Sequence, residues 1–281
     1  MRRQTSKSIP KHSLYTSMEC QYIIPLLTVC QWGNVISYFR GIVMEKTFFL
    51  FQLVDSAFPT GAFSHSFGLE TTFQENKINK PIELYSWLKT YISGSLAPTE
   101  GVVVYLIYQA KIKEFLNQEK PEDTEKLIQR LDRKLTVSKI SSETRNGGIK
   151  IGKRYLSTVH TLYPQSELIQ YSRWIDDQLC FGNAAIVHGW ITAYLEVEAE
   201  LSVFTHLYVS INNLLQSAIR LTVIGQTAAQ MILQKLYPLL MEEAERIIQS
   251  SPNEDDLFTY SIIQEIEAMR HETLYSRLFM S

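Results

Sequence analysis

Between Gln165 and Tyr237 the chain runs without a proline, and that stretch most constrains the fold. Within it Leu207, Ile211, Leu214, Ala218, Leu221, Gly225, Ala228 and Ile232 recur every three to four residues, the spacing of one buried helical stripe. The small members, Ala218, Gly225 and Ala228, allow a neighbouring helix to come close. The whole chain is thin in turn formers, with 12 glycines and 9 prolines in 281 residues, which favours long helices over a sheet with many tight turns.

The same periodicity appears elsewhere. Leu84, Trp87, Leu88, Tyr91 and Ile92 mark a helix with Pro81 near its start, where a missing N–H costs nothing. Leu127, Ile128, Leu131 and Leu135 form a second stripe among charges. Residues 257–269 read as a last amphipathic helix capped by Asp255 or Asp256. Val102 to Tyr108 is β-branched and apolar throughout, but no partner strand is visible, so it reads as a buried helix. The expected class is all-α: a single multi-helix, bundle-like domain over 44–281.

Residues 1–43 read differently, as a poorly ordered or non-native leader. The segment opens basic (Arg2, Arg3, Lys7, Lys11), and its apolar part, Tyr22 to Val43, is interrupted by Pro25, Gln31, Gly33, Asn34 and Arg40. That pattern excludes a membrane span. No small-x-small cleavage site follows, which counts against a signal peptide. Arg40-Gly41 can be encoded by a purine-rich string just upstream of Met44, so the expected translation start is Met44.

Charge and chemistry exclude several classes. A net charge of −2, from 27 basic and 29 acidic residues, gives no basic face for nucleic acid. Three scattered cysteines build neither a disulfide framework nor a metal-ligand pair, so a reducing cytoplasm is the expected compartment. Gly147 to Arg154 matches G-x-x-x-x-G-K, but Arg154 stands where a magnesium-binding Ser or Thr is required and no strand precedes it. It reads as a glycine-weakened helix. No H-E-x-x-H, no G-x-S-x-G and no distinctive carboxylate pair is present, so no catalytic residue, metal site or enzyme activity is assigned. His188, in an apolar run, reads as a packed core residue.

Two segments stand apart. Asp55 to Ser66 places Phe58, Phe63, Pro59 and Gly61 in a polar loop, either an ordered turn or a displayed partner surface. The stretch His271 to Ser281 carries Leu274, Tyr275, Leu278, Phe279 and Met280, a costly set to leave in water. It either docks on its own body or orders on a partner.

Phe51 to Glu70 (FQLVDSAFPTGAFSHSFGLE) strongly resembles the opening signature of the urease accessory protein UreF family. Thr144-Arg145 with Gly152, Arg220-Leu221 through Gly225-Gln226, and His271-Glu272 with Tyr275-Ser-Arg-Leu-Phe279 match further, so the resemblance covers about 44–281. The Gly147-Gly148 pair departs from the expected helical stretch. The resemblance implies an all-helical, dimerising cytoplasmic protein that joins UreD (also called UreH) and the GTPase UreG on the urease apoenzyme. That complex loads nickel into urease; the family member is an adaptor, binds no cofactor itself, and leaves nickel and GTP to its partners. By resemblance the partner-binding residues are Asp55, Ser56, Phe58, Pro59, Gly61, Phe63, His65 and Ser66 in the loop and His271, Tyr275, Arg277, Leu278 and Phe279 in the tail. Arg145 is a candidate for structure or for the GTPase face. The alternative makes the protein a GTPase-activating partner of UreG, acting through Arg145 or Arg220.

Overall fold

A computed structural model describes Met44 and residues 46–281; the expectations placed on 1–43 lie outside the described residues. Of the first part of the chain, Met44, Lys46 and Thr47 are helical. From Phe48 onward the chain packs as one unit, and the described residues contain helices and no strand.

Residues 48–54 are helical and lead into the loop at 55–66. Then follow α1 (Leu69–Gln74), α2 (Pro81–Tyr91), a π-helical segment (Ile92–Gly101), α3 (Val102–Phe115), α4 (Pro121–Ser138) and α5 (Ser142–Leu162). The second half is α6 (Ile169–Asp176), α7 (Ala184–Tyr194), α8 (Ala199–Arg220), α9 (Gln226–Ser250) and α10 (Ile262–Arg270). Pro81 and Pro121 open their helices at the first turn.

α3 lies at the centre, packed along α7 and α8, and α8 runs along α9. Val102, Val103, Val104 and Ile107 are buried, so the β-branched run is a core helix, as the lack of a partner strand implied. The 207–232 periodicity resolves into two helices broken at 221–225, and its members Leu207, Ile211, Leu214, Ala218 and Ile232 are all buried. α9 continues through Pro238, on a side where Gln234, whose carbonyl loses its donor, is exposed.

The helix expected at 257–269 is shorter than its periodicity suggested. It begins at Ile262, and residues 257–261 are irregular, outside any helix. Pro98 brings no N–H to the π segment, leaving carbonyls in excess of donors there. The Tyr260 N–H donates to the Gly94 carbonyl (2.6 Å) and the Phe258 N–H reaches that of Pro98 (3.4 Å). This tie to a distant segment competes with a helical start. Asp256 instead serves a local turn, accepting from the Asn253 N–H on Oδ2 at 2.8 Å, and the Asp255 carboxylate pairs with Lys134 Nζ at 2.7 Å.

The phosphate-loop look-alike lies within α5, and its glycines are packing residues. A Cβ on Gly152 would sit 2.1 Å from the Gly182 carbonyl oxygen, and one on Gly147 2.8 Å from Ser281 Oγ. The pair Gly147-Gly148 leaves α5 continuous. No described helix is long and apolar enough to cross a membrane.

Candidate functional site

The loop at 55–66 is held by its own short-range bonds. Asp55 Oδ1 accepts from the Ala57 N–H (2.8 Å), and the Asp55 carbonyl accepts from the Phe58 N–H (2.9 Å). Gly61 takes φ 77°, which lets the chain turn into a short 3-10 segment at 62–64. Ser56, Pro59, Gly61 and Phe63 are exposed. Phe58 is half-buried, edge-on to Tyr155 with ring centres 5.6 Å apart, so it belongs to the loop's footing more than to its display.

His65 and Ser66 point inward and meet the end of the described chain. His65 Nδ1 is 2.6 Å from Ser281 Oγ, and the Ser281 carbonyl accepts from the Ser66 N–H (2.5 Å) and hydroxyl (2.9 Å). The Met280 N–H donates to the Ser64 carbonyl at 2.8 Å, and the Ser217 hydroxyl to that of His65 at 3.1 Å. The loop and the tail, separated by some 216 positions in sequence, therefore form one piece of surface.

A buried carboxylate joins them. Glu70, 1% exposed, accepts from the Leu278 N–H (2.7 Å) and the Phe279 N–H (3.0 Å) and faces His271 Nε2 at 2.9 Å. His271 Nδ1 lies 2.6 Å from Glu143 Oε2, and Arg277 donates to the other oxygen of Glu143 at 3.2 Å. Phe279 is buried, so the tail docks on its own body. What it leaves outside is also defined: Tyr275, Arg277, Leu278 and Met280 are exposed, Tyr275 completely.

The two arginines of the alternative reading are both engaged within the chain. Arg220 donates to the Phe63 carbonyl, and its guanidinium lies over the rings of Phe63 (3.6 Å) and Phe279 (4.5 Å). It thereby fixes an exposed loop aromatic against a buried tail aromatic. Arg145 donates to the carbonyls of Lys139 and Ile140, both at 2.7 Å, closing the turn after α4. Sequence reasoning missed Glu70, Glu143, Ser217 and Ser281. Glu70 stood inside the quoted signature, but nothing in a single sequence pairs it with a residue two hundred positions away.

Behind the loop lies a cavity of about 90 Å³, lined in part by His65, Thr144, Tyr155, His188 and His206. His188 is a bonded core residue, held by the Tyr155 hydroxyl (2.9 Å), the Ser202 carbonyl (3.1 Å) and Thr205 Oγ1 (3.0 Å). No group of His, Cys, Asp and Glu among the described residues is arranged to hold a metal ion.

Burial, with a smaller contribution from the Lys150 charge, lowers the pKa of His65 to about 4, so it is neutral in the fold. The unfolded chain takes up this proton below about 6.5, so the stability His65 contributes is present above that value and is lost as pH falls towards 4. His65→Asn, which keeps a polar partner for Ser281, should lose about 2 kcal/mol less than the unsubstituted chain between pH 7 and pH 5. Urea unfolding at both pH values reads this directly; equal losses would show that His65 does not carry the effect.

A UreF family model matches residues 78–237 of the chain. The urease accessory protein UreF of Bacillus sp. (strain TB-90) is 40% identical over 238 residues, covering 85% of this chain and 100% of the relative. That of Lachnoclostridium phytofermentans is 36% identical over 232 residues, covering 83% of this chain and 97% of the relative.

Proposed function

Because the chain belongs to the UreF family of urease accessory proteins, we propose that it is a non-enzymatic adaptor that joins UreD (UreH) and the GTPase UreG on the urease apoenzyme. In this reading it is required for insertion of nickel into urease, works as a homodimer in the cytoplasm, and binds no cofactor of its own. Nickel and GTP are handled by the partners. The partner face for UreD is the junction of loop and tail.

The observation that supports this most is the division of labour among the tail residues. His271, Phe279 and Ser281 are buried and hold the tail, while Tyr275, Leu278 and Met280 of the same eleven residues stay outside with Phe63. Apolar side chains held in fixed positions at the surface, beside an arginine that lies over the rings of Phe63 and Phe279, are what an interface core is made of.

Deleting the tail is a poor test, because it would also uncover Glu70 and the loop. Substituting only the exposed members is cleaner. Tyr275→Ala with Leu278→Asp, in the full chain co-expressed with the urease structural and accessory proteins, should reduce retention of UreD at least tenfold, about 1.4 kcal/mol or more of binding energy. Urease activity should fall with it, at an unchanged helical circular dichroism signal. Undiminished retention would move the docking surface elsewhere and overturn the assignment of this face.

A further inference from the structure

His271 is fully buried, and each of its ring nitrogens faces a carboxylate oxygen: Nδ1 to Glu143 Oε2 at 2.6 Å, Nε2 to Glu70 Oε2 at 2.9 Å. A neutral imidazole carries one N–H, and an ionised carboxylate only accepts. Two ionised carboxylates against a neutral ring would set a nitrogen lone pair against an oxygen lone pair where no water can intervene. The bonding closes only with one additional proton among the three groups.

The location of that proton follows from the other partners. Glu70 also accepts two backbone N–H groups, from Leu278 and Phe279, and Arg220 lies near enough for its charge to interact with Glu70. Glu143 also accepts from Arg277. Donors and positive charge favour the ionised carboxylates, which leaves the proton on the ring. The other charges on the adjoining elements pair among themselves: Lys77 with Glu75 and Glu267, and Arg270 with Glu75. Glu272 accepts from the Ser142 hydroxyl at 2.8 Å.

We propose that His271 is an imidazolium clamped between Glu70 and Glu143, and that docking of the tail on α1 and α5 takes up its proton, so that the exposed tail residues are held in place near neutral pH and released as pH rises. An undocked tail exposes an ordinary histidine, which is mostly neutral above about 6.5. Above that value docking consumes one proton, and its equilibrium constant falls about tenfold per pH unit. The inference concerns the free chain and stands whether or not this face meets UreD.

Trypsin cleavage after Arg277, followed by mass spectrometry on the full chain between pH 6.5 and 9, measures docking. A synthetic peptide of residues 268–281 corrects for the protease's own pH profile. Protection should fall about tenfold per pH unit over at least one unit. In Glu143→Gln the amide can donate to a neutral ring, so the fall should shrink to less than about threefold over the same range. Nitrogen-15 spectra of the unsubstituted chain should show both His271 ring nitrogens protonated at pH 7, and they decide alone if the variant no longer docks its tail. A flat protection profile, an equal slope in Glu143→Gln, or a neutral His271 ring in the docked tail would each overturn the proposal.

Discussion

Asp132→Ala lowers the free energy of unfolding by about 4 kcal/mol. Asp132 sits on α4 with no exposure, and its carboxylate gathers the start of α7. Oδ1 accepts from the Tyr171 hydroxyl (2.5 Å), the Asn183 side-chain amide (3.0 Å) and, at 3.3 Å each, the Gly182 and Asn183 N–H groups. Oδ2 accepts from the Phe181 N–H at 2.5 Å. Alanine would leave the buried Tyr171 hydroxyl and Gly182 N–H without their acceptor, at roughly 1–3 kcal/mol each before relaxation, while Asn183 keeps the Tyr171 oxygen and Thr136 Oγ1 as partners. Burial and the Asp132 charge hold the Tyr171 pKa well above its ordinary value, so that hydroxyl remains a donor. Asp132→Asn keeps one acceptor oxygen and should lose about half as much. Urea unfolding followed by circular dichroism checks both; a loss under about 1 kcal/mol for alanine would mean that the site rearranges to satisfy its donors.

Glu70→Ala has a different signature: the tail is released while the body stays folded. The substitution strips the acceptor from the Leu278 and Phe279 N–H groups and leaves His271 with one carboxylate. Removing one partner of a buried charged cluster costs about 3–5 kcal/mol. Burying Phe279 returns only about 2–3 kcal/mol, so the tail escapes the penalty by leaving. Trypsin should cut after Arg277 about 100-fold faster, with the main unfolding transition kept and, under the proposed function, UreD retention lost. Persistent protection would show that Ser281 and Phe279 hold the tail without Glu70.

The helical body was legible from spacing, because its stripes are local. Leu84, Leu88, Leu131 and Leu135 announce a buried face within two turns, and Val102 to Tyr108 had no strand to pair with. The beginning of α10 was not legible, since it depends on a carbonyl at Gly94 that takes the Tyr260 N–H. The candidate site was half legible. Both segments stood out, one by its aromatics in a polar loop and the other by its apolar tail. Their union was hidden because it is made by Glu70, Glu143 and backbone groups of Ser64 and Ser281, ordinary residues whose meaning lies in distant partners. For the same reason His65 and Ser66 stood beside Phe63 as one displayed group, although the fold turns them inward.

The distance between the halves of this junction sets a clock. Glu70 leaves the ribosome 201 residues before His271, and at about 5–20 residues per second that is a wait of about 10–40 seconds. Through that interval the loop lacks its acceptor at Ser281 and its carboxylate lacks the Leu278 and Phe279 N–H groups, even where α3, α7 and α8 have already packed. The face made by loop and tail therefore exists only on chains in which residues 271–281 have been made. Chains that lack them present a helical body without it, so a partner that reads this surface discriminates chains that carry the tail from chains that do not.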